Sequence, residues 1–486
     1  MGRLRVGLLR GVSDLPIIDS YKVGLFKIDV IKDGEKRYIY NPSIGEELQK
    51  YINVIEKAVL DLEKSKWVPE ERPKEFKDLL RSLKVELAKY FKSSPYYEHL
   101  ADVAAYEYVG LGRLKPLLDD GYVDEIFQDR TDSPLYLTHR KYGLCETFII
   151  LDEREIEALR VFCELFGGPS ISLRSPSAKS ELRLEEGILR ISIDHPPLSA
   201  YGPSIHIRKH GRNPFTIGKL IKLGTIELFE AVFLLTALYF GRNVTILGPS
   251  GSGKTTLLNA LDISLPPNRR RIYVEDAIES LDLSKLGYHQ LKLKVDPIEA
   301  EIKIGSKHLE VLKSLHRSPD IFILGEVQDA KHSLALFQAL ASGVRGMQTF
   351  HSSGPEQAIR RWTKVHHISV EQIMDLDLLV TMVKPWPHKS FRYVSRISEV
   401  DEKGGIRDIF SRPHPLSKSY QLIDLRESRV YMLMMRGREE DEVKKVMTAF
   451  EAAIVASMGI EDLEEYVKAF FNTFFKVLGD EGFKLV

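Results

Sequence analysis

The run Gly248-Pro249-Ser250-Gly251-Ser252-Gly253-Lys254-Thr255 follows the spacing GxxxxGK[ST] in full. It stands between two apolar runs, Asn243 to Leu247 on one side and Thr256 to Leu261 on the other. Glycines at these spacings let successive backbone N–H groups face one anionic phosphate chain at the start of a helix. Lys254 adds a charge for the β- and γ-phosphates, and Thr255 a hydroxyl for Mg²⁺. Gly248, Pro249, Ser250, Gly251, Ser252, Gly253, Lys254, Thr255 and Thr256 are therefore the candidate nucleotide-binding set. Such a loop needs a carboxylate at the end of a neighbouring strand to hold or reach the metal. Ile321-Phe322-Ile323-Leu324-Gly325-Glu326 supplies Glu326. A second acidic stretch, Glu275-Asp276-Ala277-Ile278-Glu279, follows the strand-like Ile272 to Val274. Acid at the carboxyl end of a parallel strand points into the ligand crevice.

To place these groups together the chain needs strands alternating with crossover helices. Apolar helix (226–240), strand (243–247), glycine turn, helix, strand (271–274), strand (321–324) and helix (330–341) occur in an order that predicts a parallel sheet. The expected domain, over 217–486, is α/β and is built on that sheet. Its tail carries strand-like Tyr393 to Ile397 and Val430 to Met435, then helices over 441–458 and 463–478. Residues 209–216, with Gly211 and Asn213, read as a linker. Before it, 96–208 reads as a mixed α/β domain: strands at 123–127, 135–138, 148–151, 189–193 and 204–207, and a helix over 153–166. Residues 1–95 read as a helical region. Ser43-Ile44-Gly45-Glu46 has capping-box spacing, Leu48, Tyr51, Ile52, Ile55, Val59 and Leu62 form one apolar stripe, and Phe76 to Phe91 carry another. The two helices are expected to bury their stripes against each other.

Composition excludes several classes. Lys plus Arg and Asp plus Glu both number 69, so no global field recruits nucleic acid or acidic lipid. The lack of a basic, aromatic-rich segment argues further against a nucleic-acid motor. Cys145 and Cys163 are the only cysteines, which leaves neither a disulfide scaffold nor a four-ligand zinc site. The longest apolar run, Leu228 to Phe240, is interrupted by Glu230 and falls short of the roughly 20 residues of a helical membrane span. The N-terminus has no secretory h-region, and a cytoplasmic location is expected.

The phosphate loop, the acidic box Tyr273 to Glu279, Pro319-Asp320 with Gly325-Glu326-Val327-Gln328-Asp329, and Ser342-Gly343 with Thr349-Phe350-His351 occur in the order found in the type II/type IV secretion ATPase superfamily, which the chain resembles in its archaeal form. Leu114 to Gly143 is similar to that family's N-terminal domain, and Gly202 to Lys209 to the junction between its two domains. The resemblance implies that 217–486 is a RecA-like P-loop ATPase motor domain with a C-terminal extension, in a hexameric ring of two-domain protomers, peripheral at the inner face of the membrane and partnered by a polytopic membrane platform protein. ATP with Mg²⁺ would drive domain rotation for a type IV pilus-like filament or type II-like secretion. By the same resemblance Glu279 is the catalytic glutamate and a metal-side group with Thr255, Glu326 acts through Mg²⁺, and His351 links the γ-phosphate to movement. Arg208 is the arginine brought to the phosphates on closure.

The chain departs from the family pattern at His316, Ser318, Gln328 and Val344, where two arginines, a further arginine and a histidine are usual. Arg317, one position away, is the candidate substitute, and Arg345 stands beside Val344. Arginines of this kind stabilise charge on a transferring phosphoryl group, so binding is expected to survive these changes better than turnover. The alternative expectation is a nucleotide-gated assembly subunit with little or no hydrolysis.

Overall fold

The computed structural model describes residues 15–34, 37–185, 187–211, 214–296, 305–386 and 391–479. The chain divides at residues 212–213 into two compact units.

The first unit is built on a sheet of strands β1 (Ile17–Val23), β2 (Phe26–Asp33), β3 (Arg37–Ile44), β4 (Val123–Gln128), β5 (Tyr136–His139), β6 (Gly143–Glu146), β7 (Ser177–Arg183), β8 (Gly187–Asp194) and β9 (Ser204–Gly211). Their order is β1-β2-β3-β6-β5-β4-β9-β8-β7. Only β3 and β6 run parallel; the other neighbours are antiparallel. The N-terminal region read as helical thus opens with three strands. The reason is legible afterwards: Phe26, Ile28 and Val30 point to the core at a period of two. The expected capping box at Ser43 is absent, because Ser43 lies in β3 and donates its hydroxyl to the Lys27 carbonyl (3.2 Å). The helix Glu46–Lys64 starts from Gly45, which has no side-chain cap. This helix and Phe76–Leu87 bury Leu48, Ile55 and Leu83 in the same core as Ile126, Leu137 and Ile191, and each packs against the helix Tyr97–Tyr108 rather than chiefly on the other, as their stripes had suggested. Phe148 to Leu151 forms no strand, although Ile149 accepts from the Leu135 N–H (2.7 Å). The expected linker is shorter than predicted, since β9 runs through Lys209, whose ammonium is tied to the Leu117 (2.9 Å) and Asp120 (2.6 Å) carbonyls.

The second unit holds β10 (Val244–Leu247), β11 (Arg271–Glu275), β12 (Gln290–Lys294), β13 (Ile321–Val327), β14 (Gly346–Phe350), β15 (Leu378–Val383), β16 (Tyr393–Val400), β17 (Ile406–Ser411) and β18 (Tyr420–Gln421). In the order β12-β11-β13-β14-β10-β15 they pair in parallel, and β16, β17 and β18 extend the sheet antiparallel from β15. Alternate residues of β13 serve opposite cores. Ile321 and Ile323 join the helices Leu228–Tyr239, Lys254–Ile263, Glu440–Ser457 and Leu463–Leu478 on one face. Phe322 and Leu324 pack with Leu336, Phe337 and Trp362 on the other. The helix Leu228–Tyr239 is apolar nearly all round because it is sandwiched, with Phe233, Leu234 and Leu235 all at 0% exposure. Among the described residues no helix is long and apolar enough to cross a membrane. Val430 to Met435, expected as a strand, belongs to the helix Arg429–Met435. Ser428 caps it, accepting from the Tyr431 N–H (3.2 Å), and a short apolar run does not by itself tell strand from helix.

Candidate nucleotide-binding site

The phosphate loop leaves β10 at its carboxyl end and closes on the helix Lys254–Ile263. Its backbone favours glycine at three points, Gly248 (φ +154°), Gly251 (φ +69°) and Gly253. Gly253 caps the helix at φ +92°, and a Cβ there would stand 3.1 Å from Arg392 Cδ. A Cβ at Gly248 would collide with Ser252 Oγ and the Met382 carbonyl. The loop turns three carbonyls towards cations: Lys254 Nζ donates to the Gly248 and Pro249 oxygens (both 3.0 Å), and Arg392 Nε to the Gly251 oxygen (2.7 Å). Ser250 is exposed, and Thr255 and Thr256 are partly exposed at the first turn of the helix. Ser252 is fully buried, and its Oγ has no partner among the described residues.

Glu326 reaches the same edge through an irregularity in β13. Leu324 pairs with Gln348 and Glu326 with Thr349, so Gly325 is an extra residue on that strand. The bulge re-aims the strand. It puts Glu326 in register with Thr349, on the side of Ile323 and Met347, and returns Val327 to the opposite core with Phe350. Gly325 is also close-packed, because its Cβ would lie 3.3 Å from Glu275 Cγ.

His351, just past β14, joins the two motifs. Its Nδ1 is 3.4 Å from Lys254 Nζ, and its Nε2 contacts Glu326 Oε1. Burial, then the charges of Lys254 and Arg361, push its pKa down to about 4. The neutral ring accounts for both contacts: Nδ1 accepts from the ammonium and Nε2–H donates to the carboxylate. Arg361, from the helix Pro355–Lys364, fixes the ends of two strands by donating to the carbonyls of His351 (3.0 Å) and Gln328 (2.9 Å).

The acidic box divides its labour. Glu275 is buried at the end of β11, where it accepts the Glu279 N–H (3.1 Å), the Ser280 N–H (3.0 Å) and the Ser280 hydroxyl (2.5 Å). Burial raises its pKa. It is a scaffold for the turn rather than a free acid. Asn259, on the phosphate-loop helix, donates to the Glu279 carbonyl (2.9 Å), so Glu279 is anchored to both motifs through its backbone and is partly exposed. Asp276 is paired with buried Lys307 (2.8 Å).

The structure brings Lys254, Glu326 and His351 into direct contact and ties Glu279 to the same edge, but not Arg317. That residue lies before β13, at the amino edge of the sheet, bonded to Ser314 Oγ and Glu310 Oε2 (both 3.1 Å). Within its protomer it is not a substitute for an arginine at the phosphates. Arg208 lies in β9 of the first unit, opposite Glu125, with Nε 3.6 Å from its carboxylate. Lys307, Arg361, Arg392 and Asn259 were not singled out by sequence. No motif marks them, and their contacts span 10 to 141 positions.

A parallel sheet whose first crossover helix is entered through this loop, with an acid two strands away, defines a P-loop nucleotide-binding domain. Comparison with known proteins narrows the class. Residues 172–383 match the family described as Type II/IV secretion system protein. Uncharacterized protein MJ0781 of Methanocaldococcus jannaschii is 29% identical over 355 residues, 69% of this chain and 47% of the relative. Type IV secretion system protein PtlH of Bordetella pertussis is 32% identical over 132 residues, 27% of this chain and 38% of its own. The crystal structure of the Legionella pneumophila ATPase DotB aligns over 75% of this chain and 94% of its own, at 16% identity and a TM-score of 0.43. The chain spans about half the length of the first curated relatives it matches. The matched segment holds the phosphate loop, both acidic stretches and His351, so the similarity to type II/IV secretion system proteins takes in the whole candidate site.

Proposed function

We propose that this chain is a Mg²⁺-dependent ATPase that works as a homo-oligomeric, hexameric ring at the cytoplasmic face of a membrane. There it powers a type IV pilus-like filament or type II-like secretion through a polytopic platform protein. The observation that carries the reading is the chain of contacts from Lys254 through His351 to Glu326, which joins phosphate loop and acid at one edge of the sheet. Lys254 and the loop N–H groups would bind the phosphates. The buried Ser252 Oγ, without a partner among the described residues, suits an anion there. Thr255 and Glu326 are hard oxygen donors of the kind that hold an ion arriving on a triphosphate. When bound, Mg²⁺ would neutralise charge developing on the phosphate oxygens. Glu279, held by Asn259 and Glu275, would orient or deprotonate the attacking water.

Gln328 favours a second reading, a nucleotide-gated assembly subunit, because an amide cannot supply the positive charge of an arginine. One experiment separates the two: steady-state hydrolysis of ATP with Mg²⁺ by wild type and Glu279→Gln, at several protein concentrations. The ATPase reading expects turnover that rises cooperatively with concentration and disappears in the variant, with nucleotide affinity retained. Wild-type turnover in Glu279→Gln would sink the assignment of that residue. Tight binding with no turnover in wild type supports the gated subunit.

A further inference from the structure

We propose that Lys307 and Gln328 act together as positioning residues for the carboxylates of Asp276 and Glu326, Lys307 supplying the charge and Gln328 the bridge; the proposal rests on the ATPase reading above. Lys307 opens the helix Lys307–Ser314 and is 2% exposed, and a lysine is almost never so buried unless it is paired. Its Nζ donates to Asp276 Oδ1 (2.8 Å) and to the Glu326 carbonyl (2.9 Å), and its third N–H has no acceptor among the described residues. One cation therefore spans the ends of β11 and β13. Gln328 closes the square from the other side. Its Nε2 lies 3.1 Å from Glu326 Oε2 and 3.4 Å from Asp276 Oδ2, so both amide hydrogens are spent on carboxylates. The opposite orientation would aim the amide oxygen at two anions. Gln328 is neutral and balances neither charge, so the cation at this pair of strand ends is Lys307, ion-paired with Asp276. Its second bond, to the Glu326 backbone, fixes where the acid projects from the bulge at Gly325.

The test uses the full chain and reads turnover, nucleotide affinity and melting temperature together. Lys307→Met is expected to lower kcat by roughly 10- to 100-fold, the range for residues that orient a site from behind, while nucleotide Kd moves less than about threefold. Gln328→Leu, at a partly exposed position, is expected to lower kcat by a few-fold at unchanged melting temperature. Asp276→Asn in the Lys307→Met background is expected to restore most of the turnover, because it removes the anion that lost its partner; a purely structural role would not be rescued this way. If Lys307→Met does not fold, Gln328→Leu carries the test alone. If wild type binds nucleotide without turnover, the ratio of affinities with and without Mg²⁺ replaces kcat and is expected to shrink in the variants. Wild-type values in both variants, or no rescue in a folded Lys307→Met, overturn the proposal while leaving the ATPase reading intact. A wild type that binds no nucleotide overturns both.

Discussion

Parallel strands give a sheet two unlike edges, and in the second unit the two are wired differently. At the amino edge the carboxylates are spent on neighbouring donors, although Arg242 Nε and Arg270 Nε have no partner among the described residues. Asp377, 2% exposed, accepts from the Asn243 N–H and Nδ2 (both 2.9 Å), with Arg345 and Arg429 at 4.0 and 3.8 Å. Asp320 accepts from the Arg270 N–H (2.8 Å), and Arg317 is held by Glu310. At the carboxyl edge capacity is left over. Thr255 is partly exposed, Ser252 Oγ has no partner among the described residues, and Lys254 rests on carbonyls of its own loop. A closed polar network specifies a structure; one with spare donors and acceptors is prepared for a ligand. The contrast also sorts the departures from the family pattern. His316, Ser318 and Val344 all precede strands and sit at the amino edge, and only Gln328 lies at the carboxyl edge. Three of the four changes therefore leave this protomer's phosphate site untouched.

The sharpest way to break this contrast is at its amino edge. Asp377→Ala strands Asn243 donors and two arginines, and is expected to cost about 3–5 kcal/mol of stability. Denaturant melts check the loss, while nucleotide Kd measured below the melting temperature should stay at its wild-type value. A parallel loss of affinity would mean that the two edges are not independent. At the other edge Lys254→Ala should do the reverse, weakening nucleotide binding by about 100-fold, or about 3 kcal/mol, with little change in melting temperature. Fluorescent-nucleotide titration reads this directly.

Smaller effects sharpen the same division. Arg317→Ala removes a surface ion pair worth about 0.5 kcal/mol, and neither stability nor nucleotide affinity should move measurably. If turnover of the assembled protein nevertheless collapses, the amino edge serves the site of another copy. Last, His351 has its folded pKa near 4, below the ordinary 6.5. The unfolded chain then takes up the proton first, so stability should fall as pH drops from 6.5 towards 4 and be flat above. Melting curves for wild type and His351→Gln across that window should differ in slope, by little, because the ring is partly exposed.

How much could be read in advance depended on whether a feature was contiguous. The phosphate loop announces itself because anion binding at a helix start needs adjacent backbone N–H groups, and the last two helices because a 3.6-residue stripe is local. The hairpins before residue 45 were hidden by the stronger helical stripe that follows them. Val430 to Met435 was ambiguous until Ser428 was seen to cap it. The roles of Lys307, Arg361 and Arg392 were out of reach of any spacing rule, since each is defined by a partner on another element. Glu275 was legible as an acid in a box, but its burial and its three hydrogen bonds, which make it a scaffold, were not.

The single extra residue at Gly325 sets a reading frame for everything after it on that strand. Deleting it would leave a regular strand with Glu326 still opposite Thr349, whereas taking Gly325 into the ladder would put the glycine opposite Thr349 and Glu326 opposite Phe350. The carboxylate would then face the wall built around Trp362 and the valine the other side, an exchange of inside for outside that no change of side chain produces. The face this acid serves is set by one residue left out of the ladder, and a change that draws that residue into register should cost more than one that removes it.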